Sequence, residues 1–237
     1  MPEISKTADQ ALVILEHVAE HGPAGTSEIA RQLKLHRTVV HRLLATLHAR
    51  GFVRRVAEGF LPGITLLRIS QYVEPELVAA ARPVLEALVK QHGETFILTI
   101  AVEDDAVQIE QCAGADHLMR IELTLGFRHP LYRGASGRSI LAHMPEDEID
   151  RLLAGIDNAT AIRRQLAAVR RDGYATSRDE LSEGVHGMSV PILQGGTPVA
   201  SVGVVLPAVR VDGTADLLKS LQRAATQIAR NLRRTPA

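Results

Sequence analysis

Along the first quarter of the chain, apolar positions recur at helical spacing. Ser5–His21 carries Ala8, Ala11, Leu12, Leu15, Val18 and Ala19 three and four residues apart, the period of one helix face. The breakers His21-Gly22-Pro23-Ala24-Gly25 end it. A second helix is predicted over Ser27–Leu33, with Ile29, Ala30 and Leu33 inward and Thr26 as its N-cap. Lys34-Leu35-His36 leaves room only for a sharp turn. A third helix over Arg37–Ala49 then turns Val40, Leu43, Leu44 and Leu47 inward. Gly51 stops it. Phe52–Arg55 reads as a strand, Glu58-Gly59 as a turn and Phe60-Leu61 as a return strand. Three helices and a wing make a winged helix-turn-helix over residues 1–62.

Pro62-Gly63 marks a boundary, and residues 63–91 read as linker helices. Ile64–Tyr72 has Leu66, Leu67 and Ile69 at helical spacing. Glu76–Gln91 resumes the pattern after Pro75, with Leu77, Ala80, Val84, Leu85 and Leu88, and Pro83 is expected to kink it or start a new helix. From residue 92 the period changes. Thr95–Val102 is β-branched, Ala106–Cys112 alternates, and Leu118–Leu125 is a third candidate strand. Ser136–Met144, Asp147–Leu153 and Thr160–Arg171 read as helices. Tyr174–Ser177, Gly187–Leu193 and Pro198–Leu206 read as strands, the last two joined by the turn Gln194–Thr197. Asp212–Arg234 closes the chain as an amphipathic helix. Strand runs on either side of a helical block predict an α+β domain over residues 92–237, with one antiparallel sheet and helices on its faces.

Charge sharpens the picture of the first unit. Residues 26–55 hold seven Lys/Arg against one acid, a local +6 on a chain that is formally neutral. Such a patch suits a polyanion, while the neutral total excludes a protein that coats nucleic acid along its length. The outward side chains of the third helix, Arg37, Thr38, His41, Arg42 and Thr46, are types that hydrogen-bond phosphates and base edges. Arg54 and Arg55 stand at the base of the wing. DNA binding is the expectation; an ordinary solvated helix pair is the plainer alternative.

Composition excludes other classes. No apolar run reaches the roughly eighteen residues of a membrane span, and the N-terminus lacks the apolar core of a signal peptide, so a cytoplasmic location is expected. Cys112 is the only cysteine, which precludes an intrachain disulfide. Cys112, His117, His129, His143 and His186 are scattered, without zinc-site spacing. No phosphate-binding glycine motif is present, and no cofactor is called for.

The unusual stretch of the second half is GFRHPLYRGASGRSILAHMP, residues 126–145. Its turn Gly134-Ala135-Ser136-Gly137 leads straight into a helix, where free amides and the helix dipole would favour a carboxylate. The natural partner is Gly173–Pro191, with the polar groups Ser177, Arg178, Asp179, Glu180 and His186. If the two meet, a pocket forms, with Leu131 and Met188 as apolar lining. A solvated loop over a serine-capped helix is the alternative. The run from Gly134 to Arg138 approaches a nucleophile elbow, but Arg138 stands where its last glycine belongs and no strand leads into Ser136, so an enzyme is not expected.

SKTADQALVILEHVAEHGPAGTSEIARQLKLHRTVVHRLLATLHARGFVRR, PLYRGASGRSILAHMP, GYATSRDELSEGVHGMSVPI and GGTPVASVGVVLP together resemble an IclR-type bacterial transcriptional regulator along nearly the whole chain. The resemblance implies a winged helix-turn-helix, a linker helix and a GAF-like effector domain with an antiparallel sheet. It implies homodimers, often paired into tetramers, on palindromic double-stranded operator DNA. It also implies control by a small organic effector, frequently a carboxylate or aromatic acid. The recognition helix matches at Arg37, Thr38, Val39, His41 and Arg42. The effector pocket matches at Leu131, Gly134, Ala135, Ser136 and Gly137, and around Ser177, Arg178, Gly187 and Met188. Some relatives carry an acid near Ser177 and a cysteine near Gly187; this chain has neither. A small-molecule sensor module without sequence-specific DNA function is the alternative, and it leaves the basic cluster unexplained.

Overall fold

The computed structural model describes residues 3–114, 121, 123–210 and 215–233. The chain divides into two units, residues 1–73 and 74–237.

In the first unit, α1 (Lys6–His21), α2 (Thr26–Gln32) and α3 (Arg37–Ala49) precede a two-stranded wing, β1 (Val53–Val56) and β2 (Gly59–Pro62), and a short helix α4 (Ile64–Ser70). Ile14, Val18, Ile29, Val40, Leu44 and Val53 form its buried core. The inward face of α1 differs from the sequence reading. Ile14, His17 and Val18 are buried, while Leu12 is 58% exposed. Ala8 and Ala19 also face solvent. Small or apolar residues at both edges of the stripe make its centre hard to place by spacing alone. The α2 cap shifts too: Gly25, with extended backbone, is the N-cap and Thr26 is the first helical residue, so Thr26 is not the cap.

Lys34 turns the chain between α2 and α3 with a left-handed backbone (φ 54°). The wing pairs Val53 with Pro62 and Val56 with Gly59. It is pinned to the loop before α2 by reciprocal bonds between Ala24 and Phe60, 3.0 and 3.2 Å. Gly59 allows that approach, because a Cβ there would lie 2.4 Å from the Ala24 carbonyl oxygen.

In the second unit α5 (Pro75–His92) runs unbroken through Pro83, so no new helix starts there. Its apolar stripe Leu77, Ala81, Val84, Leu85 and Leu88 buries against the sheet, and the packing outweighs one lost backbone bond. The six strands are β3 (Thr95–Val102), β4 (Asp105–Cys112), β5 (Arg128–Pro130), β6 (Ala175–Arg178), β7 (Val185–Gln194) and β8 (Thr197–Pro207). They lie in the order β5-β4-β3-β8-β7-β6, every neighbouring pair antiparallel. Of the expected strand Leu118–Leu125, residues 118–120 and 122, like His117, lie outside the described residues. Ile121 and residues 123–125 are not in a strand, and β5 takes the edge instead. The start of the expected Asp212–Arg234 helix, and its last residue, also lie outside the described residues; the described helix is α9 (Ala215–Leu232).

Period-two alternation gives the sheet two unlike faces. On one, Phe96, Leu98, Val190, Val202, Val204 and Leu206 pack against α5 and α9. On the other, the register aligns Ser189, Gly203 and Ile97 in one row, and Ser177, Gly187 and Val205 in the next. These are mostly small residues. The helix α6 (Gly134–Leu141), buried along its whole length, lies over them with its own small residues. The helices α7 (Glu146–Leu153) and α8 (Ala159–Asp172) complete that layer around Leu141, Ile149, Leu153, Ile162 and Leu166.

Candidate functional site

On α3, burial of Val40, Leu44 and Leu47 fixes which side is left to solvent. Arg37, Thr38, His41, Arg42 and Thr46 are exposed there, and Arg54 and Arg55 are exposed on β1. Thr46 is partly spoken for: its hydroxyl donates to the Arg42 carbonyl, 3.1 Å away. His48 touches the Val53 carbonyl at 3.2 Å, fastening the helix end to the wing. The outer surface of α3 therefore carries two arginines, a histidine and a hydroxyl free to meet a ligand.

In the second unit, thin packing between the small-residue sheet face and α6 leaves a small cavity of about 40 Å³. Its floor is Ile97, Thr99, Gln108, Gly187 and Ser189. Ala135 and Ser136 of α6 roof it, and Phe127 and Leu181 add apolar wall. Four of the residues singled out from the sequence thus meet there: Ala135, Ser136, Ser177 and Gly187. Met188 borders the cavity from β7, but its side chain packs in the core on the other face with Val190 and Val204, because it alternates with Gly187.

The others stand elsewhere. Leu131 is fully buried in the helix-side core, not in the cavity wall. Gly137 is a packing residue, since a Cβ there would sit 2.6 Å from the Leu131 carbonyl oxygen. Arg178 is exposed and faces Asp179 at 3.6 Å. His186 alternates with Gly187 along β7 and so falls on the opposite face; it is not in the wall. Burial, and the charge of Arg178, push its imidazole below the ordinary range.

Gly134 takes a different part from the one expected. It starts α6 at φ 69° and donates its N–H to Glu180 Oε2 at 3.0 Å. Arg138 grips both oxygens of the same carboxylate, at 2.6 and 2.7 Å, and also donates to the Thr176 carbonyl at 2.7 Å. Arg133 donates to the Glu180 carbonyl. Burial works to raise the Glu180 carboxyl, but hydrogen bonds and charge from Arg138, with the Gly134 amide, hold it below the usual carboxylate range. The first amide of the helix start is thus taken by the chain's own carboxylate.

His129 and Ser136 meet beneath it. The His129 Nδ1 faces the Pro130 carbonyl oxygen at 3.2 Å, and Nε2 faces the Ser136 hydroxyl at 3.1 Å. A carbonyl accepts only, so Nδ1 carries the hydrogen and Ser136 donates to Nε2. Burial lowers the imidazole pKa, against the hydrogen bonds that support its charge. The pair has no carboxylate orienter, and the nearby helix-start amide of Gly134 is already committed to Glu180, so it lacks the parts of an acyl-transfer site. Two polar atoms on the floor are buried without partners: Thr99 Oγ1 and Gln108 Oε1. Thr99, Gln108 and Ile97 are not among the candidates that the sequence offers, and the alternation of β3 and β4 is the signal that could find them. Phe127 and His129 lie in the stretch 126–145 singled out above, without a place in the pocket assigned to them.

Among the described residues no group of three His, Cys, Asp or Glu could hold a metal ion, and no helix is long and apolar enough to cross a membrane.

The IclR helix-turn-helix domain matches residues 7–57, and the bacterial transcriptional regulator IclR C-terminal domain matches residues 71–230. The chain is 27% identical over 225 residues to the transcriptional repressor IclR of Escherichia coli K12, covering 85% of this chain and 80% of that protein. A transcriptional regulator of Rhodococcus sp. RHA1 superposes with a TM-score of 0.85 at 26% identity, covering 97% of this chain and 99% of that one. An IclR homologue from Microbacterium hydrocarbonoxydans, solved with 4-hydroxybenzoate, shares the fold (TM-score 0.83) at 20% identity, covering 95% and 98%. These relatives are regulators rather than enzymes, and with both domain types matched in order the chain belongs to the IclR family of bacterial transcriptional regulators.

Proposed function

We propose that the protein regulates transcription by binding a palindromic operator through α3 and the wing, under the control of a small organic effector held in the cavity beneath α6. Arg37, Thr38, His41 and Arg42 read or position the major groove, while Arg54 and Arg55 hold phosphates. The exposed basic surface of α3 supports the first half. The observation that carries the second is the cavity floor, where Thr99 Oγ1 and Gln108 Oε1 are buried with no partner. Groups left this way usually mark a ligand or water position. The 4-hydroxybenzoate complex of the Microbacterium homologue supports a small organic molecule as the ligand class.

The functional unit is a homodimer or a pair of dimers in the cytoplasm. Exposed Ile64, Leu67 and Tyr72 on and just after α4 support self-association. The effector shifts operator occupancy by its differential affinity for two arrangements of the protein, coupled through the linker segment 63–91. The test is fluorescence anisotropy with DNA from upstream of the protein's own and adjacent genes, across a salt series and against scrambled DNA. Tight, selective binding with a steep salt slope is expected. Weak binding without selectivity sinks the reading.

A further inference from the structure

The cavity wall contains the chemistry needed to say what class of molecule it takes. Among its described residues the only charged side chain is an acid, Glu180. Two of the groups that would receive a ligand carboxylate, the Gly134 amide and the Arg138 guanidinium, are engaged by Glu180. The other titratable group of the wall, His129, has its Nδ1 hydrogen turned to the Pro130 carbonyl, and its Nε2 receives the Ser136 hydroxyl. A carboxylate entering here would lose its hydration, meet no free cation among the described residues and lie beside a second carboxylate. Each of these opposes binding.

The vacant polar atoms point the other way. Leu123 N–H donates to Gln111 Oε1 at 3.2 Å, which fixes the orientation of the Gln111 amide. Gln111 Oε1 also receives Gln108 Nε2 at 3.1 Å, so the Gln108 carbonyl oxygen is directed away from Gln111. That oxygen is a pure acceptor without a donor. Thr99 pairs with Gln108 across β3 and β4, and its hydroxyl is also unpartnered. Both residues are at least nine-tenths buried. A hydroxyl or amide group can donate to Gln108 Oε1 while accepting from Thr99; a carboxylate can only accept. Around this pair the wall is Ile97, Leu123 and Phe127, suited to an apolar body.

We propose that the ligand of this cavity is uncharged, an alcohol, phenol or amide on a compact apolar body, with its donor on Gln108 and Thr99, and not the organic acid that the family resemblance implies. This rests on the cavity being the effector site.

The test uses the full chain and matched probes that share a body and differ in the head group. Suitable pairs are 4-methylphenol with 4-methylbenzoate, cyclohexanol with cyclohexanecarboxylate, and benzamide with benzoate. Binding is read by calorimetry at neutral pH. Gly187→Val and Ser177→Leu, which fill the cavity from two strands, identify the probes bound there. The expected result is cavity binding by uncharged members at least tenfold tighter than by their acid partners, with a loss of about tenfold in Gln108→Leu or, if that variant does not fold, in Thr99→Val. Cavity binding in which the acid is equal or tighter overturns the ligand class and leaves the cavity reading standing. Uncharged probes that ignore both Gln108→Leu and Thr99→Val overturn the polar recognition. If no probe's binding responds to Gly187→Val or Ser177→Leu, the cavity reading and the ligand class fall together.

Discussion

Glu180 and Arg138 are 42 residues apart in sequence and hold each other through two hydrogen bonds of 2.6 and 2.7 Å. The Arg138 side chain is 5% exposed and that of Glu180 30%. Glu180 borders the cavity on one side, and both residues border an outer cleft with Tyr132 and Asp157 on the other. The pair therefore ties the segment after β6 to the start of α6.

Removing one member leaves the other poorly satisfied. Arg138→Met is expected to destabilise the second unit by about 2 kcal/mol, below the range for a fully buried pair because Glu180 keeps some solvent. Urea unfolding checks it. Adding Glu180→Leu should restore part of the loss, because the stranded charge goes with it. Full additivity of the two single changes would show that the pair is not coupled.

Acid sensitivity should have two parts. His129 has a depressed folded pKa, so the unfolded state takes up its proton first and stability falls as pH drops from about 6.5. His186 adds to the same limb, for the same reason. Glu180 is also depressed, so its contribution is complete above the ordinary glutamate range and is lost only as pH falls through its lower folded value. Thermal melts from pH 8 to 3 should show His129→Gln flattening part of the upper limb and Glu180→Gln flattening the lower one. An unchanged upper limb in His129→Gln would count against a neutral buried imidazole.

The two arginine positions of the DNA surface should separate on specificity. Arg42→Ala is expected to cost about 1–3 kcal/mol on the operator and less on scrambled DNA. Arg54→Ala should weaken both alike and lower the salt slope by about one. Thr46→Val should matter less, since that hydroxyl already bonds to its own helix. Anisotropy titrations on both DNAs distinguish them.

Self-association should depend on the exposed apolar residues of α4. Leu67 is 61% exposed, so Leu67→Asp has little folding cost of its own. It is expected to weaken dimerisation at least tenfold, about 1.4 kcal/mol, by sedimentation velocity. An unchanged association constant would move the interface elsewhere.

The helix periods and the turn residues were legible because each element carries its own signal. Val40, Leu44 and Leu47 point inward at the spacing that names them, and Gly51, at φ 73°, ends its helix turn as glycines do. Spacing alone misplaces the α1 face because Ala8 and Ala19 resemble core residues by type and lie at its exposed edge. The cavity was half legible. Ala135, Ser136 and Gly187 stand out as small residues beside a helix start, but the pairing of Thr99 with Gln108 needs the strand register, and a one-residue slip would reverse both. The capture of the helix start by Glu180 was invisible for another reason. Sequence shows that an anion place exists, not whether the chain supplies its own anion.

The face of the sheet beneath α6 is hollow because its residues are small: Ser177, Gly187 and Ser189 leave unfilled what larger side chains would occupy. The hydrophobic core that holds the sheet to α5 and α9 lies on the opposite face and draws on the alternate positions of the same strands. Open space and mechanical integrity are thereby assigned to interleaved but separate sets of residues. A substitution on the hollow face can therefore reshape the cavity while the core that holds the sheet to α5 and α9 keeps its residues.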